Sequence, residues 1–315
     1  MPEPVTIAAH AKVNLALSVG PPASAGEPGA GLHPIASWMA PIQLADLLTL
    51  EPDETHEVTL RVTWADDAPR TPRSQWHADD DLAVRALRRL AAATGRPLGG
   101  TISLTKRIPA AGGLGGGSSD AAACLIAADR AFGLNLPHAQ LEQVGRSLGS
   151  DIGFFLDPAR RDDPAGRRAP GAAMVTGFGE TVRRMPIEPG PLLLIVPPFG
   201  CSTPEVYRAF DEGPVTLDEP AVIALAESGT PDPAALFNDL LRPALRIEPR
   251  LAELRRGCER VLRCPVHLSG SGSTLFVVGQ IPVSAVESLG LREPKTSLVP
   301  TSLVDPHAES QGVRP

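Results

Sequence analysis

The glycine-rich segment IPAAGGLGGGSSDAAA, residues 108–123, limits the possible folds of this chain more than any other stretch. Glycine occupies five of the six positions from Gly112 to Gly117, and ordering glycine is costly unless something must approach the backbone closely. The segment before it alternates as a strand does, and the segment after it predicts a helix that ends at Gly133. A strand, a glycine turn and a helix N-terminus favour an anion, so we expect a phosphate-binding loop. Tight packing of the loop is the alternative explanation.

The loop differs from the two most familiar phosphate-binding motifs. It holds no lysine and no GK[ST] sequence, which a Walker A loop requires. Counted from Gly113 and Gly115, the third glycine of a G-x-G-x-x-G motif would fall on Ser118. We expect Ser118 or Ser119 to cap the following helix, with both hydroxyl groups as further donors to the anion.

Composition narrows the class of protein. The 315 residues are 43% hydrophobic, enough for one large core or two ordinary ones, and we expect two lobes. A formal net charge of −7 disfavours nucleic acid as a partner, and no apolar run is long enough to span a membrane. The first residues lack the pattern of a secretory signal, so a cytoplasmic location is expected. Four cysteines without metal-ligand spacing predict reduced thiols and no metal site.

Lysine is rare in this chain. Of 29 basic residues only Lys12, Lys106 and Lys295 are lysines, so arginine serves wherever a general positive charge suffices. A lysine kept in such a chain indicates a site that requires a compact, flexible ammonium group and not a planar guanidinium group. Lys12 and Lys106 are therefore candidate functional residues.

Hydrophobic patterning predicts the remaining elements. Val5–Val19 has the pattern of a strand, a turn and a second strand, and Asp79 or Asp80 could cap a helix that ends at Gly95. The domain prediction is an N-terminal ATP-binding lobe over 1–156, an exposed and structureless insertion over 157–170, a C-terminal lobe over 171–290 and a disordered tail over 291–315.

Four stretches together resemble one enzyme family. PAAGGLGGGSSDAA is similar to the phosphate-binding motif of the GHMP kinases, and AKVNLAL, LGSDIGFFL and SGSGSTLFVV match further motifs in the same order. The resemblance covers about residues 5–280. It implies an α+β, two-lobed GHMP kinase fold, with a ribosomal-protein-like N-terminal lobe and a ferredoxin-like C-terminal lobe. It also implies ATP as co-substrate, with Mg²⁺ carried by the nucleotide.

Within the family the chain is most similar to the branch that phosphorylates the 2-hydroxyl of 4-diphosphocytidyl-2-C-methyl-D-erythritol, in the non-mevalonate route to isoprenoid precursors. The resemblance thus implies a small-molecule substrate, and we expect a monomer or a weak homodimer. Two alternatives stay open: a GHMP kinase for another small alcohol, such as a homoserine-like or mevalonate-like compound, and a non-catalytic nucleotide-binding module.

The resemblance also implies residue roles. Lys12 and Asp151 would be the catalytic pair, unless Lys12 is a solvated lysine and Asp151 a helix cap. Asn14, His33 and Tyr207 would contact the acceptor, and the turn of Gly270, Ser271 and Gly272 would face the phosphates. The predicted ATP-binding residues are Pro109, Ala110, Ala111, Gly112, Gly113, Leu114, Gly115, Gly116, Gly117, Ser118 and Ser119.

Three features depart from the pattern of that branch: Leu32, Gly153 and the insertion over 157–170, which interrupts the approach to GFGE. Leu32 stands where the family has a tyrosine beside the cytosine ring, and Gly153 stands where it has proline. Asp81 stands where asparagine is common near the adenine, and it could equally be a helix cap. None of these changes removes a group assigned to phosphoryl transfer, whereas recognition of the cytidine diphosphate end is placed in doubt.

Overall fold

A computed structural model of the chain describes residues 3–53, 55–69, 78–282, 284–285, 289 and 296–306. The strands are β1 (Val5–Val19), β2 (Ile35–Asp53), β3 (Val58–Trp64), β4 (Gly99–Lys106), β5 (Ala173–Gly177), β6 (Thr181–Arg184), β7 (Gly190–Val196), β8 (Phe237–Asn238), β9 (His267–Leu268), β10 (Leu275–Val278) and β11 (Ser297–Leu303). The helices are α1 (Leu82–Thr94), α2 (Gly116–Ala131), α3 (His138–Arg146), α4 (Ile152–Phe155), α5 (Pro158–Arg161), α6 (Thr203–Asp211), α7 (Glu219–Ser228), α8 (Leu241–Ile247) and α9 (Pro249–Leu262).

Strand β1 is the centre of the N-terminal half. It pairs antiparallel with β2 along nearly its whole length, with register shifts between His10 and Lys12 and between Asn14 and Ala16. The predicted turn inside Val5–Val19 is therefore wrong, because the segment is one continuous strand. It contains neither glycine nor proline, so irregular pairing bends the strand where a turn was expected.

The strands of the described residues form one connected sheet. Its main path runs β3-β4-β2-β11-β7-β10-β9, while β1 and β5 also pair with β2, β6 pairs with β5, and β8 pairs with β1. One hydrophobic cluster packs α1 and α2 against β1, β2 and β4, and another packs α6, α8 and α9 against β7 and β10. A third cluster, built from β1, β2, β7 and α7, lies between them. This third cluster contains buried residues from both halves of the chain.

The strand pairing bears on the predicted lobes. Strands β5 and β6 follow residue 170, yet β5 pairs with β2 and β6 pairs with β5, in the sheet of the N-terminal half. The predicted boundary between lobes near 157–170 stays a prediction, but the N-terminal sheet draws on residues beyond it.

The prediction of an exposed, structureless insertion over 157–170 is wrong. Asp157 caps α5 by accepting a hydrogen bond from Ala159 N, and Arg160 is buried, with 2% of its surface exposed. The Arg160 guanidinium donates to the carbonyl oxygens of Phe155 and Ala8, at 2.7 and 2.6 Å. Burial lowers the pKa of Arg160 to about 10. A charged side chain can be buried here because backbone carbonyls accept its hydrogen bonds.

The prediction of a disordered tail over 291–315 is wrong for β11. This strand pairs antiparallel with β7, and its last residue Leu303 is buried and pairs with Ile42. Residues 291–295 and 307–315 lie outside the described residues. The segment SLVPTSL is rich enough in β-favouring residues to add a strand once β7 offers an unpaired edge.

Helix ends follow local chemistry. Asp81 caps α1, accepting hydrogen bonds from the backbone nitrogens of Ala83 and Val84. The prediction of Asp79 or Asp80 as cap is therefore wrong by one or two residues, and the alternative interpretation of Asp81 as a helix cap is confirmed. Gly95 ends that helix in the left-handed conformation, as predicted. Among the described residues no helix is both long enough and apolar enough to cross a membrane.

Candidate active site

The glycine loop joins β4 to α2 and is packed closely against the rest of the protein. Gly113 has a φ of +75°, and a Cβ there would lie 2.1 Å from the carbonyl oxygen of Ser269. Gly115 has a φ of +72°, and a Cβ there would lie 2.9 Å from Phe155 Cζ and 3.1 Å from Lys12 Cγ. Both positions require glycine for backbone conformation and for space, so packing accounts for part of the glycine density.

Three hydrogen bonds fix the loop between the two halves of the molecule. The backbone nitrogen of Lys12 donates to Leu114 O at 3.0 Å, and Thr274 N donates to Gly112 O at 3.2 Å. The hydroxyl of Ser269 donates to Gly113 O at 2.9 Å. These contacts engage carbonyl oxygens of the loop. The first N–H groups of α2 have no partner within the helix, and N–H groups at a helix start are suited to binding an anion.

The serines after the loop do not act as caps. Helix α2 starts at Gly116 with Gly115 as its N-cap, so the prediction that Ser118 or Ser119 caps it is wrong. Both serines lie in the first turn, because the left-handed Gly115 lets the helix begin earlier. Ser119 is fully buried, and its hydroxyl has no hydrogen-bond partner among the described residues. Ser118 lines the adjoining cavity, so only that hydroxyl is available to a ligand there.

A cavity of about 720 Å³ lies beside the loop, between the N-terminal sheet and α6. It brings together eight of the predicted site residues: Lys12, Asn14, His33, Gly113, Gly115, Ser118, Asp151 and Tyr207. Gly270 and Ser271 of the predicted turn also line it. The remaining predicted loop residues do not line this cavity: Pro109, Ala110, Ala111, Gly112, Leu114, Gly116, Gly117 and Ser119.

Lys12 and Asp151 face each other at the inner end of the cavity. Lys12 Nζ lies 3.7 Å from Asp151 Oδ2, and it donates to Asn14 Oδ1 at 2.6 Å and to Gly113 O at 3.0 Å. Burial lowers the pKa of Lys12, and the negative charge of Asp151 opposes that effect. Lys12 is thus a buried cation held by three oxygens, and the interpretation of it as a solvated lysine is wrong.

The carboxylate of Asp151 lies at the start of a short helix but does not cap it. It occupies the N-cap position of α4, but its side chain accepts no capping hydrogen bond. About a quarter of that side chain is exposed, 27%, against 4% for Lys12. The carboxylate is therefore turned toward the cavity, which favours a chemical role over a capping role.

Asn14 has a fixed orientation. Its amide nitrogen donates to Ser37 Oγ at 2.8 Å, and Ser37 in turn donates to Ala16 O at 2.9 Å. These two hydrogen bonds leave the amide oxygen of Asn14 facing Lys12. The side chain thus helps to hold the ammonium group in place.

His33 lies at the outer end of the cavity, against α6. Its Nε2 is 2.7 Å from Asp211 Oδ1, and its ring centroid is 4.8 Å from that of Tyr207 and 5.8 Å from that of Phe210. Burial and the charge of Asp151 raise the pKa of Tyr207 to about 12, so its hydroxyl remains protonated at neutral pH. Leu32 also lines the cavity and is 56% exposed.

Lys106, the other lysine that composition singled out, lies below the loop and does not line the cavity. It forms buried ion pairs with Asp46 and Asp120, and Asp46 also accepts hydrogen bonds from the backbone nitrogens of Arg107 and Ile108. Burial alone would lower the pKa of Lys106, but the two carboxylates more than compensate and raise it. This cluster anchors both ends of the loop from beneath.

Comparison with known proteins places this geometry in a family. The model of the GHMP kinases N terminal domain matches residues 81–157, which include the glycine loop and Asp151. A 4-diphosphocytidyl-2-C-methyl-D-erythritol kinase of Pelotomaculum thermopropionicum is 35% identical over 277 residues, covering 86% of this chain and 88% of the relative. The same enzyme of Methylobacterium radiotolerans is 35% identical over 310 residues, covering 94% and 97%.

The same result comes from structure. A crystal structure of 4-(cytidine 5′-diphospho)-2C-methyl-D-erythritol kinase is 31% identical to this chain, with a TM-score of 0.70, covering 95% of this chain and 99% of that one. The chain belongs to the 4-diphosphocytidyl-2-C-methyl-D-erythritol kinase family of the GHMP kinases. It is therefore an ATP-dependent phosphotransferase with an alcohol acceptor. The predicted family, α+β GHMP kinase fold and enzyme class are confirmed.

Sequence reasoning missed several groups at the site of this family member. Thr203, Arg208 and Asp211 on α6 line the cavity, and Thr203 Oγ1 lies 2.7 Å from Ser271 Oγ. Asp211 could not be found from the sequence, because its partner His33 is 178 residues away. The only signal was the position of these residues around Tyr207 in the segment STPEVYRAFD.

Proposed function

We propose that this chain transfers the γ-phosphoryl group of ATP to the 2-hydroxyl of 4-diphosphocytidyl-2-C-methyl-D-erythritol, releasing ADP and a proton. The reaction belongs to the non-mevalonate synthesis of isoprenoid precursors. One observation carries the proposal: a buried lysine and a half-buried aspartate, 3.7 Å apart, share a cavity with a glycine loop at a helix N-terminus. The relatives that carry this enzyme name match most of the chain.

Lys12 and Asp151 form the catalytic pair in this proposal. The ammonium group, held by Asn14 and the loop carbonyl, orients the acceptor oxygen and neutralises charge on the transferred phosphoryl group. Asp151 accepts the proton of the 2-hydroxyl. An ordinary carboxylate is a weak base for an alcohol, but in a loose transition state the proton leaves late, when the alcohol has become acidic.

The ATP phosphates are assigned to the loop from Pro109 to Ser119. Backbone N–H groups at the start of α2 would hold them, and the dipole of this helix favours their charge. Mg²⁺ is assigned to the nucleotide, since it binds mainly through phosphate oxygens and waters with few protein ligands. The hydroxyl oxygen of Ser118, on the cavity wall, would be available to complete its coordination. The ion would neutralise phosphate charge.

The acceptor is assigned to the outer part of the cavity. The cytosine ring would lie beside His33 and Tyr207, whose rings contact each other at a tilted angle of 48°, and the reacting end would reach Asn14 and Lys12. A volume of about 720 Å³ is ample for a nucleotide-sized ligand. We further propose a cytoplasmic monomer or weak homodimer without a nucleic-acid partner; the free cysteines and the net charge of −7 favour this.

Leu32 is the observation that supports a second candidate. Its exposed side chain offers no aromatic face to a cytosine, so a GHMP kinase for another small alcohol would account for it. A coupled assay of ADP release over a panel separates the two candidates: the cytidyl substrate, homoserine, mevalonate and a methylerythritol without nucleotide. We expect turnover with the cytidyl substrate to exceed all others by at least tenfold in kcat/KM. Preferential turnover of any other alcohol contradicts the proposal.

Substitutions at the base end should change KM and leave kcat nearly constant. Leu32→Tyr is expected to lower KM for the cytidyl substrate several-fold, because aromatic stacking adds about 0.5–1.5 kcal/mol. His33→Ala is expected to raise it. The base is remote from the reacting hydroxyl, so its contacts contribute equally to the ground state and the transition state.

Initial-rate kinetics at saturating ATP measures both parameters. Val215→Tyr, which places the same ring at another exposed aliphatic position outside this cavity, is the control and should change neither. If Leu32→Tyr lowers kcat and leaves KM unchanged, the base does not bind at this end of the cavity.

A further inference from the structure

Two of the cations on the cavity wall have an ion-pair partner and a third does not. Among the described residues that line it, Lys12 faces Asp151 at 3.7 Å and His33 faces Asp211 at 2.7 Å. Arg208 is the remaining charged group, and within the described part of the chain it forms no ion pair. Its one hydrogen bond runs from Nε to the carbonyl oxygen of Pro204, at 3.3 Å, within its own helix.

The position of Arg208 on α6 separates it from the phosphate loop. Thr203, at the start of this helix, contacts Ser271 beside the loop. Arg208 lies five residues further on, and a rise of 1.5 Å per residue places it about 7.5 Å along the helix axis. It directly follows Tyr207, the side chain assigned to the cytosine ring. The guanidinium is exposed and free to meet a ligand at the mouth of the cavity.

We propose that Arg208 binds the diphosphate of the acceptor and makes the enzyme selective for a nucleoside diphosphate over the nucleoside. This inference rests on the proposed function. A diphosphate carries at least two negative charges, and the neighbouring carboxylates Asp151 and Asp211 would repel it without a cation close by. Lys12 is already held by Asn14, Gly113 and Asp151 at the reacting end. A guanidinium group matches two phosphate oxygens at once.

The assignment also explains why an arginine suits an otherwise exposed position of α6. The diphosphate lies between the base and the erythritol, so its cation should lie between the groups that hold those two parts. Tyr207, the residue before Arg208 on α6, lines the same cavity, and it is close enough to Asp151 for that charge to affect its pKa.

Competitive inhibition by cytidine, CMP and CDP against the cytidyl substrate tests the proposal. For the wild-type enzyme we expect CDP to bind about 10- to 100-fold more tightly than cytidine, the range for charge-assisted hydrogen bonds. In Arg208→Gln that ratio should fall to about threefold or less, and Arg208→Lys should retain part of it. KM for ATP should stay unchanged in both variants. The wild-type ratio should also shrink at high salt, because Arg208 is exposed.

Arg260→Gln, on the exposed face of α9 and outside the cavity, is the matched control and should keep the wild-type ratio. An unchanged CDP-to-cytidine ratio in Arg208→Gln overturns the inference, and so does a rise in KM for ATP alone. Arg208→Lys preserves the charge and covers the case in which the glutamine variant does not fold. If the wild type does not turn over the cytidyl substrate, the proposed function fails. If it does, but the CDP-to-cytidine ratio is the same in Arg208→Gln as in the wild type, only this inference fails.

Discussion

Replacing Asp151 with asparagine is expected to lower kcat by about 10²–10⁴-fold and leave KM for ATP nearly unchanged, because a positioned base contributes on that scale. The amide keeps the shape of the side chain but cannot accept the proton of the acceptor hydroxyl. It also removes the charge that opposes the burial effect on Lys12, so the pKa of Lys12 should fall further. The alkaline limb of the pH–rate profile should then move to lower pH.

Steady-state kinetics of the variant with varied ATP and varied acceptor measures both effects. Glu227→Gln, the same carboxylate-to-amide change at an exposed residue outside the cavity, is the control and should leave kcat unaltered. Turnover of the Asp151→Asn enzyme within a fewfold of wild type would show that Asp151 is not the base.

Replacing Gly115 with valine is expected to abolish nucleotide binding. The position has a φ of +72°, which a β-branched residue avoids, and its Cβ would meet both Phe155 and Lys12. The loop would have to move, and with it the start of α2 and the Lys12 side chain. We therefore expect KM for ATP to rise at least about 100-fold, together with a lower kcat.

Equilibrium titration with a non-hydrolysable ATP analogue measures the loss directly. Gly257→Val is the matched control, since a Cβ there has open space in the middle of α9. Gly115→Ala keeps the strained backbone conformation but adds less volume, and it should bind the analogue weakly if the valine variant does not fold. Near-normal analogue binding by both Gly115 variants would place the phosphates elsewhere.

The local elements of the phosphate site were predictable, because their causes are local. The strand, glycine loop and helix follow from spacing alone, and Gly95 ends α1 where a left-handed residue was expected. The positions of the two serines were not predictable, because Gly115 is the N-cap of α2 and Ser119 is therefore buried in the core. The N-cap lies three or four residues earlier than predicted, and as a result Ser118 lines the cavity while Ser119 does not.

The errors over 157–170 and over the C-terminal tail share one physical cause, which is pairing between residues far apart in sequence. Arg160 is buried because Ala8, 152 residues away, offers a carbonyl oxygen. Strand β11 forms because β7 presents an edge, and His33 is held by Asp211, 178 residues away. A charged or proline-rich segment therefore appears solvated in the sequence, although its partners lie elsewhere in the fold.

Identification of the phosphorylated product tests the central claim most directly. The wild-type enzyme is incubated with ATP, Mg²⁺ and the cytidyl substrate, and the products are followed by ³¹P NMR and by coupled ADP release. The proposal predicts one new phosphomonoester on the 2-oxygen of the erythritol for each ADP formed, with the diphosphate signals intact. ADP release without that ester, or an ester formed only with alcohols that lack the nucleotide, would contradict it.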